Sequence, residues 1–261
     1  NGGEISNSTV SGFVSGTRNV GGLIGLNSGL SDSTSSSASV SGTENAGGVA
    51  GNNSGQMLNS EATGNVSGSL FTGGLVGDNT GIIIQSYASG SVNGGLNAGG
   101  LIGQNRENGE VSESYASGTV SGVQNIGGLV GRNFDGQPLI ETSYATGGVT
   151  GTENIGGLAG LNDDNATVAE TFATGLVSGT SKVGGVIGEN LAQMEASYWD
   201  TVTTGVTDGA GSGEQTGAEG LSTDQMTGDA AEVNMSEFDF ITTWATTPAG
   251  YPILLWQEED E

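Results

Sequence analysis

The sequence predicts an all-β protein, a parallel β-solenoid (β-helix) of about eight coils with a C-terminal α/β or irregular cap. The first observation is a pentapeptide, Gly-Gly-apolar-apolar-Gly, which returns at intervals of 26, 26, 26, 28, 29 and 28 residues. The second is a neighbouring segment in which small or apolar residues alternate with polar ones, as in a strand. A fixed period of this size is typical of stacked repeats, whose neighbours complete each other's apolar faces. The pentapeptides occupy residues 21–25, 47–51, 73–77, 99–103, 127–131, 156–160 and 184–188.

Composition supports this prediction. Glycine accounts for 51 of 261 residues, with 3 Pro and no Cys or His. A disordered glycine-rich chain would not keep its apolar residues in phase over seven cycles, and glycine at this density excludes helical solenoids. Because aromatic residues make up only 5% of the chain, we expect a narrow core of Val, Ile, Leu and Ala that extends along one axis. At the usual strand spacing, eight coils would form a rod roughly 40 Å long.

Each pentapeptide predicts a short apolar strand, and every copy is followed two residues later by an asparagine. Asparagine tolerates a left-handed backbone and hydrogen-bonds neighbouring backbone groups at a corner. Stacked at one corner, these side chains are expected to form an amide ladder from coil to coil. The predicted ladder consists of Asn27, Asn53, Asn79, Asn105, Asn133, Asn162 and Asn190.

The second strand of each repeat carries an aromatic column. In the copy that spans residues 114–122, Ala116, Gly118 and Val120 share one face, and the residues between them share the other. If the rings face outward, they form a stripe that could dock sugar rings or a partner protein; the alternative is a purely structural ladder of stacked rings. The candidate binding residues are Tyr87, Tyr115, Tyr144, Phe172 and Tyr198.

Charge limits the partners. The chain has 29 acidic residues and only four basic ones, for a formal net charge of −25. Such a field repels nucleic acid and anionic membranes, because binding to phosphate requires clustered Lys and Arg. No stretch is long and apolar enough to insert directly into a membrane. Two explanations of the acidity stay open, adaptation to high salt and cation binding. The basic residues are Arg18, Arg106, Arg132 and Lys182.

Catalysis is not expected. Without His or Cys, the chain lacks the commonest general base, the thiol nucleophile and the usual transition-metal ligands. Paired carboxylates could still hydrolyse glycosides, but the acids are dispersed and no insertion interrupts the repeat before residue 200. The acids considered are Glu44, Glu61, Glu107, Glu110, Glu113, Glu141 and Glu153.

Calcium is the cofactor that an acidic chain without His or Cys would suit, since carboxylate and carbonyl oxygens are its preferred ligands. The densest local group of such oxygens is Asn162, Asp163, Asp164 and Asn165. It matches neither an EF-hand loop nor the known calcium-binding repeat, so a solvated acidic turn is the alternative interpretation.

The repeat pattern ends near residue 205, which predicts two regions: β-solenoid repeats in residues 1–205 and a C-terminal capping region in residues 206–261. Ser222 and Gln225 have the spacing of a capping box, so a short helix is expected to begin there and to be interrupted at Gly228. The aromatic-rich end that follows predicts a hydrophobic cap over the last coil. The chain opens in mid-repeat, and we expect a leader or preceding repeats to be missing from it.

Together these residues resemble the GLUG repeat of prokaryotic surface proteins and large secreted adhesins. The resemblance rests on the Gly-Gly-Leu-Val-Gly core, the Asn that follows it and the Ser-Tyr-Ala-Thr-Gly-x-Val-Ser-Gly segment, over residues 1 to about 205. It extends to the tail through residues 197–200, 220–226 and 250–252. The acidity resembles that of haloarchaeal secreted proteins. The resemblance implies extracellular or cell-surface display with an adhesive or structural role, and it supplies no catalytic residues.

We therefore expect a non-enzymatic extracellular or cell-surface protein that presents a rigid acidic solenoid. Its expected partners are other surface proteins, glycans or further copies of itself in a filament or lattice. A carbohydrate-active enzyme and a viral fibre or receptor-binding protein, both known on β-solenoids, are the alternatives. Cleavage of a polysaccharide would favour the first alternative, and trimerisation would favour the second.

Overall fold

The computed structural model describes residues 1–260, with side chains as far as Glu258. Three parallel sheets wind around one axis as a β-solenoid, which confirms the predicted fold class. We number the coils 1–8 from the N-terminus. They comprise residues 4–27, 30–53, 56–79, 82–107, 110–136, 139–162, 167–190 and 193–213.

Each coil contributes strands to all three sheets except the last, which has none in sheet 2. Sheet 1 contains Glu4–Ser6, Thr9–Val10, Leu30–Asp32, Ser35–Ser36, Gln56–Leu58, Glu61–Ala62, Ile82–Ile84, Tyr87–Ala88, Glu110–Ser112, Tyr115–Ala116, Leu139–Ala145, Thr167–Ala173, Gln193–Asp200 and Ala218–Leu221. Sheet 2 contains Phe13–Ser15, Arg18–Gly21, Ser39–Gly47, Val66–Gly73, Val92–Asn93, Leu96–Gly99, Val120–Ser121, Gln124–Gly127, Val149–Thr150, Glu153–Gly156, Val177–Ser178 and Ser181–Gly184. Sheet 3 contains Ile24–Asn27, Ala50–Asn53, Val76–Asn79, Ile102–Glu107, Val130–Gly136, Ala159–Asn162, Ile187–Asn190 and Ala210–Gly213.

Pairing brings equivalent residues of successive repeats side by side. Tyr115 pairs with Tyr144 in sheet 1, and Asn105 pairs with Asn133 in sheet 3. Side chains therefore stack in columns along the axis, and a feature repeated in the sequence becomes a continuous stripe in the molecule. This register is why the period of the sequence determines the positions of its ladders.

The core is a set of apolar columns. The main core lies between sheets 1 and 3, where Leu101, Ile102, Val111 and Ala116 show how one repeat contributes. A second, smaller core forms against sheet 2, with Val120 and other members of that column. Burial of these columns is the main source of stability, at roughly 25 cal/mol per Å² of apolar surface removed from water.

Close approach of the backbones explains the last glycine of the pentapeptide. A Cβ atom on Gly77 would lie 2.6 Å from the carbonyl carbon of Asn45 and 2.7 Å from the amide nitrogen of Ala46. Both atoms belong to sheet 2. Sheet 3 can therefore lie this close to sheet 2 only at a residue without a side chain, which is glycine. The glycine is required by packing, since its φ is not in the left-handed region.

Residues other than glycine form left-handed corners in two columns, one in sheet 1 and one in sheet 2, with φ between 42° and 56°. One column bends sheet 1, at Asn7, Ser33, Asn59, Gln85, Glu113, Thr142, Glu170 and Ala196. The other bends sheet 2, at Asn19, Asn45, Phe71, Asn97, Asn125, Asn154 and Lys182. Asparagine occupies five positions of the second column because it adopts this conformation at low cost.

Parallel pairing continues past residue 205, since Ala210–Gly213 extends sheet 3 and Ala218–Leu221 extends sheet 1. At this end of the main core, Trp199 is the last member of a column of small residues. Its side chain is 5% exposed, and its Nε1 donates to the carbonyl of Val206 at 2.9 Å. The bulky indole fills the space in the core that the side chains of a further coil would otherwise occupy.

The C-terminal segment, residues 222–260, packs along the side of the solenoid on the outer face of sheet 1. Its elements are helices α1 (Thr223–Met226) and α2 (Ala230–Asn234), an antiparallel pair (Trp244–Ala245 and Ile253–Leu254) and a 3₁₀ helix (Leu255–Asp260). The backbone N–H of Ser222 donates to Oε1 of Gln225 at 3.0 Å, and Gly228, at φ 60°, separates the two helices. No helix within residues 1–260 has the length and apolarity needed to cross a bilayer.

Candidate functional site

The asparagines that follow the pentapeptides form a continuous amide ladder inside the solenoid. All seven are fully buried, and Nδ2 of each donates to Oδ1 of the next at 2.8–3.0 Å. Asn1 adds a rung before Asn27 at 2.9 Å, and Asn190 ends the ladder by donating to the carbonyl of Glu214 at 3.0 Å. None of the seven has a positive φ, in contrast to the expectation from their place at a corner. They hold the corner through side-chain bonds to the backbone, as Asn79 does to the carbonyl of Gly81 at 3.1 Å.

A second amide ladder lies at the left-handed corners of sheet 2, and the sequence analysis missed it. Asn45 donates to Asn19 at 2.8 Å, Asn125 to Asn97 at 2.8 Å, and Asn154 to Asn125 at 2.7 Å. Its bonds point towards the N-terminus, opposite to those of the first ladder. The signal in the sequence was an Asn two residues before Gly-Gly, which five of the seven repeats carry. The second ladder is interrupted at Phe71 and ends before Lys182, so Oδ1 of Asn45 and Oδ1 of Asn154 are buried without a hydrogen-bond partner. Both ladders are structural, because their other amide groups bond to one another within the stack.

The predicted aromatic column forms a stack of nearly parallel rings on the outer face of sheet 1. Ring centroids are 4.9 Å apart between Tyr87 and Tyr115, 5.0 Å between Tyr115 and Tyr144, and 4.8 Å between Tyr144 and Phe172. The planes differ by 4° at most. Tyr198 packs edge-on against Phe238 instead, at 5.2 Å.

Most of this stack is covered by the C-terminal segment. Tyr144, Phe172 and Tyr198 are buried, while Tyr87 and Tyr115 stay half-buried at the edge of the cover. Trp244, itself fully buried, lies 5.6 Å from Phe172, and its ring stacks on Phe238 at 4.6 Å. A ligand on this face can therefore reach only the first two rings of the predicted binding column.

Two polar contacts anchor the segment along the stack. Tyr144 donates from its hydroxyl to Oε1 of Gln257 at 3.1 Å, and burial raises the pKa of this phenol above its ordinary value. Trp256 donates from Nε1 to the carbonyl of Glu113 at 3.0 Å, and its ring packs on Tyr115 with centroids 6.0 Å apart. The segment thus reaches back from coil 8 as far as coil 5.

A third anchor joins Tyr251 to Asp200, with the hydroxyl 2.6 Å from Oδ2. Burial opposes ionisation of Asp200, but hydrogen bonds from Thr223, Tyr251 and the backbone N–H groups of residues 203 and 202 outweigh burial and lower the pKa of its carboxyl. Tyr251 shows the opposite shift, since burial and the neighbouring carboxylate raise its pKa. This contact joins the two tail motifs that the sequence analysis had identified separately.

Beside the anchors lies a group of carboxylates on the same face. Burial, followed by the charges of Glu110, Glu170 and Glu113, raises the pKa of Glu141. Burial, followed by the charge of Asp239, raises the pKa of Glu170. Burial and the neighbouring negative charges thus oppose ionisation of Glu141 and Glu170.

An open groove of about 460 Å³ continues the outer face of sheet 1 beyond the end of the cover. Trp256 forms one side, and coils 2–4 form the floor through Ser35, Glu61 and Tyr87, which occupy one column. The sequence analysis did not find this groove, because its two sides come from residues about two hundred positions apart in the chain. Its only local signal is the change in the column from Tyr to Glu at Glu61.

The four residues considered for calcium do not converge on one point. Asn162 is part of the buried amide ladder, and Oδ2 of Asp163 lies 3.5 Å from Arg132. Oδ2 of Asp164 accepts a hydrogen bond from the backbone of Asp135 at 3.1 Å, and Asn165 is exposed. Among the side chains that the structure describes, as far as Glu258, no three acidic groups gather as a metal-binding group.

Each of the four basic side chains forms at least one ion pair. Arg106 binds both carboxylate oxygens of Asp78, at 2.9 and 3.0 Å, and Asp78 is 3% exposed. The hydrogen bonding of Arg106 to Asp78, which accepts, outweighs burial and raises the pKa of Arg106. Arg132 also lies over the ring of Phe134, 3.7 Å from its centroid. The remaining pairs are Arg18–Glu44, Arg106–Glu107, Arg132–Asp163, Lys182–Glu153 and Lys182–Glu189.

Comparison with known proteins identifies the repeat. The family described as the GLUG motif matches residues 94–121 and 122–150. The two matched stretches are consecutive and run from the end of coil 4 into coil 6, so the chain carries GLUG repeats, and coils in the same register flank them. Searches of curated proteins and of solved structures returned no match.

Proposed function

We propose that this protein is a non-enzymatic structural or adhesion protein of the cell surface or extracellular space, in which a stiff acidic rod presents a binding surface. The observation that carries the proposal is the parallel stacking of eight coils, held by amide ladders as well as by an apolar core. Each buried amide fixes its neighbours, because a slipped register would leave donors and acceptors unpaired. Such a scaffold favours stiffness over movement, which suits spacing and display.

The GLUG repeats support a surface role, in the same sense as the resemblance to secreted adhesins. Partners of such a rod are other surface proteins, glycans or further copies of itself. The net charge of −25 makes nucleic acid an unsuitable partner. Immunogold labelling of intact cells and protease accessibility test the location. Labelling confined to the cell interior would overturn the proposal.

We also propose that the protein is halophilic and of haloarchaeal type. Its few cations are already engaged in ion pairs, so most carboxylates repel one another unless salt screens them. Circular dichroism and thermal melting over a NaCl titration test this, with CaCl₂ and EDTA as parallel arms. A fold that appears only at molar NaCl supports halophily. A fold that needs calcium at low salt contradicts it and makes the acids cation ligands.

The absence of catalysis is part of the proposal. Three of the acids considered above, Glu44, Glu107 and Glu153, are in ion pairs with basic side chains. Glu110 and Glu113 lie close enough to Glu141 for their charges to raise its pKa, and these three carboxylates are the group an enzyme would use. Release of reducing ends from a polysaccharide panel tests this. Activity that is abolished by Glu141→Gln would replace the structural role with a glycoside hydrolase.

A further inference from the structure

The groove beside Trp256 has an aromatic wall that is held in place before any ligand arrives. The indole is fixed by its hydrogen bond to the carbonyl of Glu113 and by its packing on Tyr115. Trp199 is 5% exposed and Trp244 is fully buried, so Trp256, which is half-buried, is the one tryptophan of the chain that a solute can contact through an open surface. Fixed aromatic groups of this kind are typical of small-ligand sites, since they add contact area at low entropic cost.

The floor of the groove is polar and forms a short hydrogen-bonded array. Oε1 of Glu61 accepts a hydrogen bond from the hydroxyl of Ser35 at 2.5 Å, and Oε2 accepts one from the hydroxyl of Tyr87. Each carboxylate oxygen retains capacity for a second hydrogen bond. The array therefore offers acceptors held in place by neighbours one coil away on either side.

Two amide side chains flank this array. Asn59 donates to Oδ1 of Asp32 at 2.9 Å, and Gln85 donates to Oε2 of Glu113 at 2.8 Å. Both line the groove, and each amide group has further donor and acceptor capacity beyond that bond. Carboxylate and amide groups beside an aromatic wall match a ligand with both hydroxyl groups and apolar faces.

We infer that this groove binds a neutral oligosaccharide, with one sugar ring against Trp256 and its hydroxyl groups hydrogen-bonded to Glu61, Asn59 and Gln85. The column Ser35–Glu61–Tyr87 spans three coils, about 10 Å at the usual strand spacing, which is room for two or three linked sugar rings. An anionic chain is disfavoured because the carboxylate of Glu61 lies in the floor of the groove of a strongly acidic protein. The inference rests on the proposed adhesive role and names its ligand class.

The experiment uses full-length protein labelled with 5-fluorotryptophan, which gives one ¹⁹F signal for each of the three tryptophans. The probes are tetrasaccharides of β-linked glucose, xylose, mannose and N-acetylglucosamine and of α-linked glucose. We expect a saturable shift of the Trp256 signal at millimolar concentration with at least one of them, while the Trp199 and Trp244 signals stay fixed and report an intact fold. A saturable shift of the Trp256 signal with a proline-rich peptide, and no shift with any of the sugars, would overturn the inference.

Variants then locate the site. We expect Glu61→Gln to weaken binding roughly tenfold, because an ionised acceptor makes the stronger hydrogen bonds to hydroxyl groups. Trp256→Ala, measured by calorimetry, should weaken binding by about tenfold or more. Phe13→Ala is the matched control, since Phe13 is an aromatic residue 69% exposed on sheet 2, outside the groove, and its loss should leave affinity unchanged.

Absence of a saturable Trp256 shift with the whole panel, or equal affinity in Glu61→Gln, Trp256→Ala and Phe13→Ala, would overturn the site. Neither result bears on where the protein is displayed, because binding is measured with purified protein in solution. Surface labelling with no sugar binding would remove the ligand and leave the structural role. Sugar binding by a protein found only inside cells would support the ligand and remove the surface role.

Discussion

The outer face of sheet 1 differs between its two halves. In coils 4–8 the exposed column reads Tyr, Tyr, Tyr, Phe, Tyr, and the C-terminal segment covers most of it. In coils 1–3 the same column reads Thr, Ser, Glu and is not covered by the C-terminal segment; its Ser and Glu line the groove. The backbone is the same in both halves, so one column of side chains decides whether the sheet binds its own chain or remains available to a ligand.

The largest effect is expected from removing the centre of the cover. Trp244→Ala should lower the free energy of unfolding by about 3–5 kcal/mol, because the indole is fully buried against Phe172 and Phe238. Guanidinium titration followed by near-ultraviolet circular dichroism measures it. The control is Val233→Ala, a side chain 76% exposed on the same segment. Equal midpoints for the two variants would show that the cover contributes little.

The next effect concerns the anchor at Tyr251. Tyr251→Phe removes a hydrogen bond to a charged carboxylate and should cost about 1.5–3 kcal/mol. Asp200 has a lowered pKa in the folded state, so its contribution is present above its ordinary value of 3.8 and is lost as pH falls through the lowered pKa. The variant should therefore lose less stability than the parent protein on acidification, as thermal melts at a series of pH values will show. A constant difference at every pH would rule out this linkage.

A gain in stability is expected when the aromatic column of coils 4–8 is extended by one ring into coil 3. Glu61→Tyr places a ring beside Tyr87 and should be about 0.5–1.5 kcal/mol more stable than Glu61→Gln through stacking, since both variants lose the carboxylate that accepts hydrogen bonds from Ser35 and Tyr87. Because the substitution also removes a negative charge, Glu61→Gln is the control for charge. Ser35→Tyr is the control for stacking, since its neighbour in the column is Glu61 and not an aromatic residue. A gain for Glu61→Tyr no larger than for Glu61→Gln would show that stacking alone does not stabilise this face.

The smallest effect is electrostatic. Glu141 has a raised pKa, so the folded state binds its proton more tightly, and stability falls as pH rises from the ordinary value of 4.5 through the raised pKa. Glu141→Gln should stabilise the protein slightly at neutral pH and lose that advantage below pH 4.5. Thermal melts at low salt measure the difference, with the exposed Glu195→Gln as the control for net charge. Equal gains from the two variants would assign the effect to net charge.

The repeat made most of the solenoid predictable, and the tail did not follow from it. A residue pairs with its equivalent one period later, so the first amide ladder and the aromatic column could be predicted directly from the sequence, while the second amide ladder was missed. The lateral packing of the tail could not, because its contacts join residues without periodic relation. Trp256 binds a backbone carbonyl 143 residues away, and Tyr144 contacts a side chain 113 residues away.

The same reasoning explains why the sequence predicts a C-terminal cap but not its position along the side of the solenoid. An aromatic-rich tail after a solenoid suggests a cover for the last coil, but the apolar surface it matches is the aromatic column on the side. Trp199 already fills the end of the main core. The sequence marks Trp199 as a large residue in a column of small ones, a signal that only register makes visible.

The length of the C-terminal segment limits how many repeats can lie between coil 5 and coil 8. It contacts side chains from coil 5 to coil 8, so those coils must stay in number and order for Trp256, Trp244 and Tyr251 to meet their partners. Duplication or deletion of one repeat there would move every later contact by one coil. A duplication ahead of residue 30 would lengthen the rod and leave both the cover and the groove intact. Gene duplication can therefore add repeats at the N-terminal end of the solenoid without disturbing these contacts, but not within coils 5–8.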